Sequence, residues 1–360
     1  MKIIHRSILK ELAVTFLLSI AFLNFILMME KLLRLSRFLS GLGASLADML
    51  KVIIYLQPQL LLLTIPMALL LSTLLVYGRL NLDNELIILK ASGMNFRNII
   101  LPVAFLGAVC FLMNIATSFY IGPKSMVSLR DELTNIIKVR TPLAIEEGRF
   151  NTAFKDLVIM VREKPADETL KGVFIYDGRN ETQPKVLTAL EGKIFLSGGY
   201  QVHMDLREGC IHIVKGNTTT EIYFDRYQLA LDLESMPPSR KISEFTPQEI
   251  VREISNPGLS KEDASRLVSL QIELHRRLSL PFLCIILIFL GPPLSLIAGK
   301  SGRLGGLVLG LLVFAVYYVL LIYAENLVKA GQLFHITGTW APTVLLTIVA
   351  ILMFKKETNR

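Results

Sequence analysis

Six uninterrupted apolar blocks constrain what this chain can fold into. They run from about Leu12 to Met29, Val52 to Tyr77, Ile99 to Ile121, Leu278 to Ala298, Leu304 to Ala324 and Ala341 to Phe354. A helix needs roughly 20 apolar residues to cross about 30 Å of hydrocarbon, and a soluble core has no use for blocks of that length. Hydrophobic residues make up 52% of the chain and charged residues 19%. The sixth block is the shortest, and its ends are the least defined. The first follows Lys2, Arg6 and Lys10 as a secretory signal would. It is too long for a signal core and has no small-x-small cleavage site before Glu30, so it reads as an uncleaved first span.

The loops orient the spans. With the N-terminus inside, Lys2, Arg6, Lys10, Arg79, Lys90, Arg97, Lys300, Arg303, Lys355, Lys356 and Arg360 are cytoplasmic, against Lys31, Arg34, Arg37, Lys51 and Lys329 on the other side. The excess of basic residues in cytoplasmic loops places both termini inside and the insert between spans three and four outside. The net charge of +8 then reflects topology and anionic lipid contact, and no nucleic acid is expected as a partner.

The chain divides into spans one to three (1–121), a β-rich insert (122–245), a helical return segment (246–277) and spans four to six (278–360). The expected fold class is an α-helical membrane protein of six transmembrane helices with an inserted all-β domain, a jellyroll or sandwich. Within the insert, Val202, Met204 and Leu206 alternate with Gln201, His203, Asp205 and Arg207, the pattern of a half-buried strand. Similar runs cover 155–162, 172–176, 193–196, 210–214 and 221–227, separated by turn signals such as Asp177-Gly178. Many short strands at this spacing suit a jellyroll. The run Leu157–Val161 is apolar on both faces. It reads either as a strand covered on both sides or as an open groove for an acyl chain. Thr246-Pro247-Gln248-Glu249 has the composition of a capping box. Cys110 and Cys284 fall in spans and Cys210 stands alone in the insert, so no disulfide framework is expected.

Catalysis finds no support. Histidines 5, 203, 212, 275 and 335 show no metal-ligand spacing, so no metal site is expected, and neither HExxH nor GxSxG occurs. Gly299-Lys300-Ser301 lacks the first glycine of a phosphate-binding loop, because position 294 is Leu. The spans also contain no evident buried acidic pair for ion-coupled transport. The loop between spans two and three is more informative. From about residue 80 to 95 it is amphipathic at helical spacing, with Leu82, Leu86 and Leu89 on one side, Asp83 and Lys90 elsewhere, and Gly93 at a helix-stopping position. Such a helix either docks on a soluble partner or simply joins two spans.

Pro66-x-Ala68-Leu69-Leu70, Tyr77-Gly78-Arg79-Leu80, Asn84-Glu85-Leu86, Lys90-Ala91-Ser92-Gly93 and Pro102 resemble the signature of the LptF/LptG permease family, and the resemblance covers the whole chain. Glu30-Lys31-Leu32-Leu33-Arg34, Phe224-Asp-Arg-Tyr-Gln228 and Leu274-His-Arg-Arg-Leu278 look more like its LptF branch. The resemblance implies an ABC exporter subunit that extracts lipopolysaccharide from the inner membrane and passes it to a periplasmic jellyroll bridge. Its partners would be an LptG-type permease, an LptB-type ATPase dimer, and LptC- and LptA-type jellyroll proteins. No cofactor is expected in this chain, with ATP and Mg bound by the ATPase. A non-transporting mechanotransmission or assembly protein of the envelope is the alternative.

The resemblance also assigns roles. Asp83 and Glu85, with Leu82, Leu86, Leu89 and Gly93, would form the ATPase-coupling helix. Lys31, Arg34 and Arg37 are spaced by three, and with Arg276 and Arg277 they would bind a lipid A phosphate; ordinary snorkelling at the membrane border is the plainer reading. Gly302, Gly306 and Gly310 form a small-residue stripe, either at the seam with the partner permease or in packing within the chain. Leu157, Ile159 and Val161 would line the β-domain interior that shelters acyl chains.

Overall fold

In the computed structural model all six apolar blocks lie in helices long and apolar enough to cross a membrane, and the chain is a multi-pass membrane protein with an inserted β domain. The structure describes residues 2–41, 45–144, 147–154, 157–163, 169–179, 184–197, 201–215, 218–231, 240–255, 264–298 and 302–358. The chain forms two compact units: residues 1–29, 56–126 and 242–360 make the first, and 30–55 and 127–241 the second.

The long helices are α1 (Lys2–Gly41), α2 (Leu46–Leu82), α5 (Leu101–Ala116), α8 (Ala264–Ala298), α9 (Gly302–Lys329) and α10 (His335–Thr358), with short α3 (Glu85–Ala91) and α4 (Phe96–Ile99) between α2 and α5. The sixth span is longer than its apolar block. Its polar first turns are held in the helix, with Thr339 Oγ1 donating to the His335 carbonyl at 2.8 Å. The core of the first unit forms on α2, whose Ile65, Leu69, Leu70, Leu74, Tyr77 and Leu80 are almost fully buried, and it includes Val103 and Cys110 of α5 and Leu283, Cys284 and Leu287 of α8. Close approach depends on missing side chains: a Cβ on Gly291 would lie 2.7 Å from Thr73, and one on Gly107 only 2.4 Å from Ile288. Outward faces remain apolar, including Leu17, Leu18, Phe22 and Phe25 on α1 and Val308, Leu312, Val316 and Val319 on α9. Hydrocarbon solvates such faces, while the helical backbone satisfies its own polar groups.

Span three does not end where its apolar block ends. A π turn (Thr117–Ile121) leads into α6 (Gly122–Ala144), so the strands begin later than the expected domain boundary at residue 122. Pro123 has no N–H to continue the α ladder, and the turn closes one residue wider, with the Gly122 N–H on the Thr117 carbonyl.

Among its described residues the second unit carries six antiparallel strands in sequential order: β1 (Phe150–Phe154), β2 (Leu157–Glu163), β3 (Thr169–Asp177), β4 (Lys185–Ser197), β5 (Gln201–Lys215) and β6 (Thr218–Leu231). Among the described residues it is one meander, without the crossovers of a Greek key. One transverse row drops out of four successive ladders: Arg162 opposite Gly172, Gly172 opposite Leu190, Leu190 opposite Glu208, and Glu208 opposite Asp225. Gly172 and Glu208 have φ of 64° and 50° there. Across this row the pleat slips by one residue. In β3 Leu170 faces inward on one side and Val173 and Ile175 on the other; in β5 Met204 and Leu206 give way to Ile211. The sheet therefore creases and rolls around one apolar core. Arg179, just after β3, closes the roll by donating to the Ala230 carbonyl of β6 at 3.1 Å. The same guanidinium forks onto Asp177, with contacts of 2.9 and 2.7 Å, and holds that carboxyl below the usual carboxylate range.

Candidate functional site

The first polar cluster of the membrane unit surrounds Arg79 at the end of α2. Its Nε and Nη2 fork onto Glu11 of α1, both at 2.7 Å, while Nη1 reaches Asp83 at 3.2 Å and Glu85 at 3.1 Å. Asn84 takes the left-handed conformation (φ 60°), which a short polar side chain tolerates, and so separates α3 from α2. Gly93 (φ 85°) ends α3 in a Schellman turn: its N–H meets the Lys90 carbonyl and that of Met94 meets Leu89. Tyr77, fully buried, donates to the Ile99 carbonyl at 2.6 Å and ties α2 to α4.

The Asn84 kink changes which residues face out. Helical phase does not carry through a left-handed residue, so the face expected from Leu82, Leu86 and Leu89 is split. Leu86 is 3% exposed and Leu89 packs on the same core, whereas Leu82, Ile87 and Ile88 are exposed, Ile88 by 65%. The outward surface of this segment is Leu82, Asp83, Glu85, Ile87 and Ile88. Sequence reasoning missed the two isoleucines by running the spacing of α2 through the kink.

The second cluster joins the return segment to α8 and α9. Here α7 (Pro247–Ile254) starts with a complete capping box between Thr246 and Glu249. Arg277 of α8 is buried. It donates to the carbonyls of Phe245, Ser243 (3.1 Å) and Ile242 (3.4 Å) and to Glu273 (3.0 Å). Its neighbour Arg276 is more open, pairing with Glu273 and lying 3.9 Å from Glu325 on α9. Glu325 is buried, and its Oε1 has no hydrogen-bond partner among the described residues. Both carboxylates border a cavity of about 150 Å³ with Ser118, Arg276, Arg277 and Tyr318, room for several waters. Glu325, buried, and Glu273, half-buried, thus form an acidic pair bridged by Arg276. Both residues lie beyond the expected apolar blocks, because α8 begins well before Leu278 and α9 continues past Ala324.

Of the basic stripe, Lys31 is exposed on α1 and belongs to the second unit; the side chains of Arg34 and Arg37 lie outside the described residues. A Cβ on Gly306 would lie 3.4 Å from the Leu74 carbonyl, and one on Gly310 2.8 Å from Leu71. These two glycines pack α9 on α2 within the chain; Gly302 opens the same helix. Leu157, Ile159 and Val161 are buried among Leu170, Val173 and Ile175, filling the rolled sheet with side chains. The expectation of no metal-ligand grouping also changes: Cys210, His212 and Glu221 bring ligand atoms within 4.8 Å of one another. Linear spacing hid this, because the carboxylate comes from the next strand.

The family described as lipopolysaccharide export system permease LptF/LptG matches residues 6–356. A curated relative, the uncharacterized protein RP871 of Rickettsia prowazekii (strain Madrid E), is 26% identical over 202 residues, 55% of this chain and 55% of its own length. The match thus spans about half of that relative.

Proposed function

We propose that this chain, which belongs to the lipopolysaccharide export system permease LptF/LptG family, is the LptF-type half of an ATP-driven exporter that lifts lipopolysaccharide out of the bacterial inner membrane. The observation that carries this reading is the family match over residues 6–356, which takes in both sets of spans and the sheet. Both termini are cytoplasmic and the sheet is periplasmic. An LptG-type permease completes the cavity, and an LptB-type ATPase dimer binds ATP and Mg; LptC- and LptA-type proteins take the lipid onward.

Work enters through α3. Leu82, Ile87 and Ile88 present an apolar face to the ATPase, with Asp83 and Glu85 beside it for a basic group. Leu86, Leu89 and Gly93 fix the helix to the chain's own core, so that a push on α3 moves α2 and α5. Lys31, Arg34 and Arg37 meet lipid phosphates through charge-assisted bonds, and Arg276 separately offers a phosphate contact. Arg277 has its donors committed to Glu273 and the return segment, and therefore positions Arg276. With Gly306 and Gly310 turned to α2, the opposite face of α9 is left for lipid and the partner permease. The interior around Leu157, Ile159 and Val161 receives acyl chains as the roll opens.

Co-expression with the partner permease and ATPase tests the reading. Glu85→Lys, which leaves Arg79 its fork on Glu11, is expected to reduce ATPase retention on the purified complex by about tenfold, the scale of one lost charge-assisted contact. Unchanged retention together with unchanged lipid export overturns the coupling role.

A further inference from the structure

On β5 and β6 the ladder sets Cys210 opposite Tyr223 and His212 opposite Glu221. Strand alternation puts all four on the face opposite Ile211, which lies in the core. Cys210 Sγ, a ring nitrogen of His212 and a Glu221 carboxylate oxygen all lie within 4.8 Å of one another. His212 Nδ1 is 3.2 Å from Glu221 Oε1. In tetrahedral zinc coordination, bonds of about 2.0–2.1 Å to nitrogen and oxygen give an N···O edge of about 3.3 Å, so this pair already has the required separation. The thiol sits two residues back along β5, the next position on the same face, and closes the third corner by a rotamer adjustment. The other carboxylate oxygen accepts from Tyr223 Oη at 3.2 Å, the outer contact that orients a ligating carboxylate.

We propose that Cys210, His212 and Glu221 form a three-ligand zinc site on the outer face of the sheet, with a fourth position open to water. The donor set of one sulfur, one imidazole and one carboxylate suits zinc rather than the all-oxygen shells of calcium or magnesium. A cleft of about 720 Å³ along the crease, bordered by Cys210, Tyr223 and Phe224, supplies the entry path. Binding displaces the thiol proton to solvent. The metal joins β5 to β6, the last strand in the described sheet order, and so staples that edge. An ordinary surface ion pair, His212 with Glu221, leaves the sulfur out.

The test uses the full chain in detergent micelles, stripped with a chelator and titrated with cobalt(II) alone. One cobalt per chain is expected, with a thiolate-to-cobalt charge-transfer band that zinc displaces. Cys210→Ser abolishes the band, and His212→Ala and Glu221→Gln weaken cobalt binding by at least about tenfold. The Cys110→Ser/Cys284→Ser variant keeps the band. Absence of the band, or its survival in Cys210→Ser, overturns the proposal. A second measurement needs no variant: zinc is expected to slow alkylation of Cys210, followed by peptide mass spectrometry, by about tenfold or more, and chelator to restore it. An alkylation rate indifferent to zinc overturns the proposal as well.

Discussion

Replacing Arg277 with Met removes the guanidinium but keeps an apolar stem of similar length, so the loss falls on hydrogen bonding. The bonds at risk run to the carbonyls of Phe245, Ser243 and Ile242, the last at 3.4 Å and correspondingly weak. Two good bonds to a charged donor are worth about 1.5–3 kcal/mol each. The low end applies, because a released segment regains water, giving about 3 kcal/mol in all. That corresponds to a roughly 150-fold rise in the local opening equilibrium. Glu273 keeps its contact with Arg276, so α8 holds no carboxylate stripped of every partner. Hydrogen exchange in detergent reads the effect. Amides of 242–254 are expected to exchange about 100-fold faster in Arg277→Met, with those of the α2 core unchanged and Arg276→Met close to wild type. Unaltered exchange in 242–254, or an equal increase throughout the spans, refutes the role of Arg277 in holding the return segment.

The coupling helix should divide by face. Ile88→Asp is expected to cut ATPase retention about tenfold without lowering thermal stability, whereas Leu86→Ala costs about 2–5 kcal/mol of the chain's own stability; thermal unfolding and pull-down separate the two. Gly209→Ala puts a Cβ 2.3 Å from the Thr188 carbonyl and 2.4 Å from the Phe224 ring. A backbone carbonyl cannot swing aside, so a loss at or above about 3 kcal/mol is expected, read as faster proteolysis of the sheet. Asp177 has a lowered carboxyl pKa in the folded chain because of Arg179. Its contribution is therefore present above the unfolded value of about 3.9 and lost as pH falls through the lower folded value. Asp177→Asn should cost about 1–2 kcal/mol at pH 7, allowing for solvent around Arg179, and should remove that acid-side decline when proteolysis is followed against pH.

Elements specified by local pattern were legible in the sequence. The six spans follow from apolar length, the capping box from Thr246 and Glu249, and the β5 strand from its alternation through Met204 and Leu206. Features that depend on a change of phase were not. The Asn84 kink resets α3 and turns Ile87 and Ile88 outward, and the crease at Gly172 and Glu208 switches faces within β3 and β5. Relations between distant elements were hidden for a different reason. Arg277 serves carbonyls more than thirty positions away, Glu325 meets Arg276 from another helix, and Glu221 reaches His212 only once β6 pairs with β5. In each case the residue types were visible, but neither the span limits nor the strand register needed to bring them together could be read from composition.

The measurement closest to the central claim is photo-crosslinking from positions 31 and 276 in the complex co-expressed with its partner permease and ATPase. Crosslinkers placed there are expected to capture lipopolysaccharide, with the yield falling when ATP drives the cycle. A crosslinker on the α2-facing side of α9, at Gly306, should capture none. Mass spectrometry that finds no lipopolysaccharide at either position, in a complex that retains the ATPase, contradicts the export reading.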